Sequence, residues 1–508
     1  MEKSDVGPEL RDELSQESDQ GEPRMSVTAR NTLRNTTLLV AFEVANPLLS
    51  LLLVGTMTRR LGPDGTGGYN LLLNFFFVAH SVTSLGLNSL LTREVARDRR
   101  SARAFLCTAG VVGILGSLFV AAGMMVALRL ANYGPVLEQG GWFVALALLP
   151  SIMILYSEAI FIAFEKVQYI VIMAIVENAG RVFAGLWLLR RGFGVVPLIA
   201  SFALFRFLTL AINLLLFHRR IAPLSWAYEP GVLRRLLRSI PVFGTIFIVA
   251  TLYWRADVFM LSKMGTLAAV GFYTVGYRLF SIAQVVPKSF NTTIYPVFSK
   301  LFHNSPDDFR AANSVSIRYM LVVMLPIAAG ISGLAAPLVR LLFGPDFSPA
   351  AAVLAIVIWT LVPYGIVRIL ASSLFASDRQ IVDLKVNLMG LITNLLLNMA
   401  LIPRLGMIGC AWATVASIVC FLAYQCFFLR KEIGPVFRQA EIAKPVLATA
   451  LLMLWLWLTP AIPLILRILG GALIYGLLIL FMQVVRLREL RAVVPERLLV
   501  LLPEEREP

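Results

Sequence analysis

The stretch LYWRADVFMLSKMGTLAAVGFYTVGYRLF, residues 252–280, decides the fold. Two apolar arms flank a short polar turn at 262–266, and the arms carry Arg255, Asp257 and Arg278. A charge at the centre of a membrane helix costs roughly 2.5–3.5 kcal/mol on insertion scales, so an ionisable residue there marks a functional position. The stretch therefore reads as a hairpin of two membrane helices, opening a second repeat, whose charges face a central polar cavity.

The composition around this hairpin agrees. The 508-residue chain is 58% hydrophobic and only 15% charged. Continuously apolar runs of about twenty residues recur along it, enough to cross about 30 Å of hydrocarbon at 1.5 Å per residue. Strands of a membrane barrel would alternate polar and apolar residues instead. The fold class is all-α and polytopic, with about fourteen transmembrane helices near 35–57, 67–91, 104–128, 141–164, 167–189, 194–217, 240–262, 267–297, 314–337, 349–375, 381–402, 406–429, 443–460 and 462–485.

The net charge of +15 does not point to nucleic acid. Residues 1–24 are acidic and polar, unlike a cleavable signal, and read as a disordered cytoplasmic tail. The positive charge lies in short loops. With the N-terminus inside, basic residues near span ends number twenty-three inside, including Arg93, Arg97, Arg219, Arg220, Arg234, Arg235, Arg238, Arg430 and Lys444, against eight outside. That is the positive-inside pattern, and it places both termini in the cytoplasm and the protein in the cell (inner) membrane. Cys107, Cys410, Cys420 and Cys426 form no CxxC pair and read as small apolar residues.

The hydropathy divides at 218–239. Within it LRRLLRS (233–239) reads as an interfacial amphipathic helix, with Leu233, Leu236 and Leu237 on one face. Across this linker, residues 58–76 align with 261–280, so that Gly67 and Tyr69 fall on Gly271 and Tyr273. EKVQYIV (165–171) then takes the place of DRQIVDL (378–384), and RRGFGVV (190–196) that of PRLGMIG (403–409). Six spans per half is an even number, so both halves enter from the same side as parallel repeats about an axis along the membrane normal. The expected division is an N-lobe at 25–217, a cytoplasmic linker at 218–239, a C-lobe at 240–430, two additional helices at 431–486 and a cytoplasmic tail at 487–508.

ADVFMLSKMGTLAAVGFYTVGYRLF (256–280), RNTLRNTTLLV (30–40), RRLGPDGTGGYNLLLNFF (59–76) and LVRLLFGPDFSPAAAVLAI (338–356) together resemble the polysaccharide-biosynthesis, or oligosaccharide-lipid, flippases of the multidrug/oligosaccharidyl-lipid/polysaccharide exporter superfamily. The likeness covers about residues 26–486. It implies two six-helix lobes around a central cavity, alternating access, and a polyprenyl-diphosphate-linked oligosaccharide as substrate. Partners on this reading are that lipid-linked substrate, membrane lipids, a coupling cation (sodium or proton), and a glycan polymerase or glycosyltransferases.

The charged residues inside spans are the candidate site. A diphosphate calls for permanently charged, multidentate donors, which arginine supplies. Arg206, Arg255, Arg278 and Arg368 are the candidates for the anionic headgroup. Arg181 follows Glu177 by four residues and can simply neutralise it on one helix face. Lys288 reads as snorkelling to the interface. Glu43, Asp257 and Glu177 are candidates for ion coupling or gating; Glu158 is a further acid in a span. Pro47 cannot donate to the Glu43 carbonyl, so the first span is expected to bend there, with other bends at Pro150, Pro241, Pro287, Pro326 and Pro363. Asn74, Asn178, Asn387, Asn394 and Asn398 read first as helix–helix hydrogen bonders and second as sugar ligands. No nucleophile–base motif, metal-ligand cluster or cofactor loop is visible, so no catalytic residue, metal or cofactor is assigned. The alternative is a cation-coupled multidrug antiporter, which an acidic cavity would favour. A membrane-embedded sugar polymerase or ligase would need a large outer loop, and the outer loops are short.

Overall fold

The computed structural model describes residues 27–433 and 439–484, except the side chains of 27–45, 241–243, 245–247, 380, 431–433 and 439–442. The tails at 1–24 and 487–508 and the side chain of Glu43 lie outside the described residues. The chain folds into helices α1 (Val27–Ser84), α2 (Leu87–Arg97), α3 (Ala102–Leu130), α4 (Pro135–Ala163), α5 (Val167–Arg190) and α6 (Val195–Arg220). The second half holds α7 (Pro230–Met264), α8 (Leu267–Ala283), α9 (Val285–Asn304), α10 (Pro306–Gly333), α11 (Ala335–Phe343), α12 (Ala350–Val357), α13 (Leu361–Ala376) and α14 (Gln380–Ile433). Finally α15 (Gln439–Leu458) and α16 (Leu464–Phe481) pack on α10. By length and apolarity eight helices among the described residues can cross a membrane, and nine with the bent pair 46–84 and 87–97. Residues 381–430 divide into two crossings at Gly406, and α7 and α8–α9 are less apolar because they carry the charges described below. Fourteen crossings fit this arrangement. Outward faces present apolar side chains, as in Phe119, Phe183 and Phe481, 82%, 70% and 87% exposed.

The opening hairpin shows why the chain turns where it does. Gly265 ends α7, and the Thr266 hydroxyl accepts from the Ala269 amide at 3.1 Å to cap α8. The polar residues at 262–266 are thus a helix stop followed by a helix start.

Two features establish the repeat in three dimensions. Glu165 and Asp378, matched in the alignment, are both non-glycine residues with positive φ, 60° and 55°. Each closes its helix the same way. Lys166 N donates to Phe161 O and Arg379 N to Leu374 O, both at 2.9 Å, the wider hydrogen bond of a left-handed helix end. The second feature is a crossing of α1 and α8. A Cβ on Gly67 would lie 1.9 Å from the Leu267 carbonyl oxygen, and one on Gly271 would lie 2.3 Å from that of Pro63. Pro63 precedes Gly67 as Leu267 precedes Gly271, by four residues, so the contact is reciprocal, as a two-fold axis requires.

The lobes are fastened together at the end that carries this crossing. Arg59 Nη2 donates to Leu341 O at 2.8 Å, Tyr133 and Ser262 share a hydroxyl hydrogen bond at 2.7 Å, and Lys263 donates to Ala131 O. Phe75 packs edge-on against Phe259 with centroids 4.8 Å apart. Deeper in, Ser81 and Thr251 pair at 2.6 Å.

The bends follow expectation only in part. Helical backbone runs through Pro47, Pro150 and Pro326; one break, at Gln284, lies three residues before Pro287, and the others fall at Gly62 (φ 66°, ψ −172°), at Leu85–Gly86 and at Gly406 (φ 56°, ψ −132°). A proline removes one hydrogen bond but keeps helical φ, whereas Gly62 precedes Pro63, which pushes it out of the helical region. The linker also differs. Residues 233–239 form no separate interfacial helix but the first turns of α7, continuous with the span. Val232 and Leu236 are buried there while Leu237 is 51% exposed, so the three leucines do not share one buried face. Glu94 of α2 holds this segment, accepting from Arg235 Nη1 at 2.9 Å and from Arg93 Nη2 at 3.1 Å.

Gly67→Ala and Gly271→Ala are each expected to destabilise the protein by about 1–3 kcal/mol through overpacking. Both force the same two helices apart, so the double variant should cost less than the sum. Thermal melting in detergent checks both magnitude and non-additivity.

Candidate functional site

Beyond the crossing a cleft lies between the lobes. Its C-lobe half is a cavity of about 480 Å³ lined by Arg255, Asp257, Tyr277, Arg278 and Lys288, with Asn74 and Phe77 opposite. Its N-lobe half, about 400 Å³, is lined by Glu158, Glu177, Asn178, Arg181 and Arg206. Asn70, Leu73, Phe77, Arg278 and Ser281 line both, so the two halves are one cleft with Arg278 on the ridge between them.

On the N-lobe wall, Glu177 is buried and shared by two arginines. Arg206 Nε lies 3.4 Å from Oε1 and Nη1 donates to Oε2 at 3.4 Å, while Arg181 Nη1 stands 3.8 Å from Oε1. The local Glu177–Arg181 pair is present, and Arg206, from the next helix, joins it. Both guanidiniums lie over the Phe202 ring, at 4.8 and 5.5 Å. With Glu158 nearby, the formal charges on this wall cancel.

On the C-lobe wall the charges do not cancel. Asp257 is turned into its own lobe. Its Oδ2 accepts from the Tyr273 hydroxyl and its Oδ1 from the Val258 amide at 2.8 Å, and Tyr273 continues to Thr414 at 3.0 Å. Among the described residues Asp257 makes no ion pair with Arg255. Arg255 instead reaches across the cleft: Nη1 donates to Asn74 Oδ1 at 3.1 Å, and the guanidinium sits 4.3 Å from the centroid of Phe77.

The repeat explains Arg278. Counting 204 residues back, Arg278 corresponds to Asn74 and Arg255 to Leu51. The symmetry mate of the Asn74–Arg255 bond would therefore join Arg278 to Leu51, which has no polar side-chain atom. Arg278 has no hydrogen-bond or ion-pair partner among the described residues, and its Nε is buried without one. It is a half-buried cation at the middle of the cleft, free for a ligand.

Other residues fall elsewhere. Arg368 is not in the central cleft but in a separate cavity inside the C-lobe. Lys288 lines the cleft rather than standing apart at an interface. Asn178 donates to Asn46 O at 3.2 Å and Asn394 to Ser417 Oγ at 3.1 Å, bonds between helices, whereas Asn398 donates to Asn394 O at 2.9 Å within its own helix. His80 stacks on Phe76 at 5.6 Å, outside the cleft lining. The cysteines are free, and Cys410 lies against the Asp257 carbonyl. No cluster of three or more His, Cys, Asp or Glu occurs among the described residues. The sequence reading missed Tyr273 as the partner of Asp257 and Phe77 as the ring under Arg255. The first signal was visible as Asp257 and Tyr273 facing each other across one hairpin.

Fold and cleft together define a two-lobed, helical membrane protein with a charged central cleft. The chain belongs to the polysaccharide biosynthesis protein family: that family's model matches residues 32–302, and the overlapping model of the lipid II flippase MurJ matches residues 194–483. Both sit in the multidrug/oligosaccharidyl-lipid/polysaccharide exporter superfamily. Among curated proteins the chain is similar to the probable low-salt glycan biosynthesis flippase Agl15 of Haloferax volcanii, 24% identical over 191 residues, 37% of this chain and 40% of that protein. The probable flippase AglR of the same organism is 24% identical over 177 residues, 33% of this chain and 36% of that protein. The match thus spans well under half the length of these relatives. Among solved structures, lipid II flippase MurJ in an inward closed conformation superimposes with a TM-score of 0.67 at 14% identity, covering 91% of this chain and 98% of that one. An inward-facing multidrug resistance MATE family transporter gives 0.65 at 15% identity, covering 78% and 98%.

Glu177→Gln leaves two partly buried guanidiniums without the carboxylate they share. It is expected to lower stability by about 1–3 kcal/mol, and the double variant Glu177→Gln/Arg181→Gln should recover part of the loss in thermal melts.

Proposed function

We propose that the protein moves a polyprenyl-diphosphate-linked oligosaccharide from the cytoplasmic to the outer leaflet by alternating access, for synthesis of a cell-surface polysaccharide. The observation that carries this is Arg278, an unpartnered cation on the ridge of the cleft, flanked by Arg255 and Lys288. An anion entering there meets guanidinium donors already desolvated by the protein, which strengthens each charge-assisted hydrogen bond. The headgroup passes through the cleft while the prenyl tail stays in lipid. The family match and the relatives named as flippases support the same reading. On the positive-inside topology the fastened end faces outward, both termini are cytoplasmic, the membrane is the cell (inner) membrane, and the cleft opens toward the cytoplasmic leaflet. The protein acts as a transporter, not an enzyme, and hands its cargo to a glycan polymerase or glycosyltransferases. A drug antiporter shares the fold, but a cleft whose unbalanced charge is positive disfavours cationic drugs.

Asp257 is the coupling group in this scheme. Behind it lies a small enclosed space of about 10 Å³ bordered by Thr360, Asn394, Thr414 and Ser417. The Thr360 hydroxyl is buried without a hydrogen-bond partner. One carboxylate among hydroxyl and amide oxygens suits sodium, a hard cation, or a proton on Asp257.

Arg278→Ala should reduce transport of the lipid-linked substrate into the outer leaflet of proteoliposomes by about 10-fold or more, the loss of one charge-assisted contact, with membrane insertion intact. Transport at the wild-type rate would sink the anion-site reading. Asp257→Asn should abolish dependence on the ion gradient while leaving helix content unchanged; a gradient response like wild type would reject Asp257 as the coupling group.

A further inference from the structure

Arg368 leads to a second cavity, of about 250 Å³, wholly within the C-lobe. Four polar side chains converge on it from two helices: Arg368 from α13, and Asp383, Asn387 and Gln425 from the two arms of α14. Its remaining walls are aromatic or aliphatic, with Tyr253, Trp254, Tyr364 and Phe421 among them. The polar groups are not used up on one another. Arg368 and Asp383 make no ion pair among the described residues, and Arg368 Nε is buried without a hydrogen-bond partner. Gln425 is fully buried, yet neither its amide nitrogen nor its amide oxygen has a partner. Buried amides are nearly always hydrogen-bonded, because leaving both ends unpaired costs about 1–3 kcal/mol per group. Asp383 accepts from Asn387 Nδ2 at 3.0 Å, which leaves its other carboxylate oxygen available.

We infer that this cavity is a saccharide subsite that takes one pyranose ring of the headgroup. The donor set argues for hydroxyls. Arg368 Nε and the Gln425 N–H groups need acceptors, while the second Asp383 oxygen and the Gln425 carbonyl need donors. A cation would satisfy only the acceptors and an anion only the donors, whereas vicinal ring hydroxyls do both. The aromatic walls match the apolar C–H faces of such a ring. The cavity also lies in the right place. Trp254 and Tyr364, whose rings stand edge-to-face at 5.5 Å, line both it and the central cleft, so the two share a wall. A sugar there, with its diphosphate at Arg278, spans that wall. The inference rests on the lipid-linked oligosaccharide reading above, and it assigns Arg368 to the sugar rather than to the diphosphate.

The test uses the full-length protein in nanodiscs and two probes, undecaprenyl diphosphate and undecaprenyl-diphospho-N-acetylglucosamine, with binding followed by thermophoresis. The wild type should bind the glycosylated lipid at least about 10-fold more tightly. Gln425→Leu and Asp383→Asn should each reduce that preference to about 3-fold or less without changing affinity for the bare lipid. Gln425→Leu also removes an unpaired buried amide, so its melting temperature should hold or rise, which separates lost sugar binding from misfolding. Equal affinity of the wild type for both probes, or an undiminished preference in both variants, overturns the subsite. Arg278→Ala separates the two ideas. It should weaken both probes alike; if it weakens neither while Gln425→Leu still erodes the preference, the diphosphate site fails and the sugar subsite stands.

Discussion

The reciprocal contact of Gly67 and Gly271 is the constraint on which the molecule depends. Two helices approach until backbone meets backbone, with no room for a methyl group on either side. In a membrane, association gains little from the hydrophobic effect, so close packing of small residues is what brings helices together. The same crossing sets the geometry of everything below it. The crossing fixes the register of α1 against α8, and residues one to three turns further along each helix line the cleft between the lobes. Asn70, Asn74, Phe77, Thr274, Arg278 and Ser281 follow from that register.

Duplication then accounts for the asymmetry of the cleft. A symmetric pair of lobes would present matched walls. Charges in the second half stand where the first half has none: Arg278 against Asn74, Arg255 against Leu51 and Asp257 against Leu53. The hairpin at 252–280 supplies the unbalanced positive wall. The N-lobe is not poor in charge, but its charges come from α4, α5 and α6 and are balanced around Glu177. One lobe thus offers a neutral ion network and the other a surplus of cations.

Much of this was legible in the sequence, because membrane insertion imposes long apolar runs and duplication left Gly67 over Gly271 and Glu165 over Asp378. What the sequence did not disclose depends on helix rotation. A span that is apolar all round carries no moment to say which face points inward. Charge type alone put Arg368 with Arg278, although α13 turns it into the C-lobe. Likewise Arg206 and Glu177 are 29 residues apart on adjacent helices, and no local spacing pairs them. The bends were sought at prolines, and Gln284 breaks just ahead of Pro287, but Leu85–Gly86 and Gly406 break where backbone takes positive φ, which depends on what surrounds the turn as much as on the residue.

Arg255 has a consequence for the working cycle. Its backbone belongs to the C-lobe, while the amide and the ring that hold its guanidinium, Asn74 and Phe77, belong to the N-lobe. Any movement that separates α7 from α1 strips the arginine of both supports at once and turns it loose into the cleft. The number of cations available to a ligand is therefore a function of the angle between the lobes. A bound anion that recruits Arg255 favours the separated arrangement by the energy of that contact, and releasing the anion lets the arginine return to the opposite lobe. Affinity for an anion and the shape of the protein are linked through this side chain, as the proposed alternating-access cycle requires.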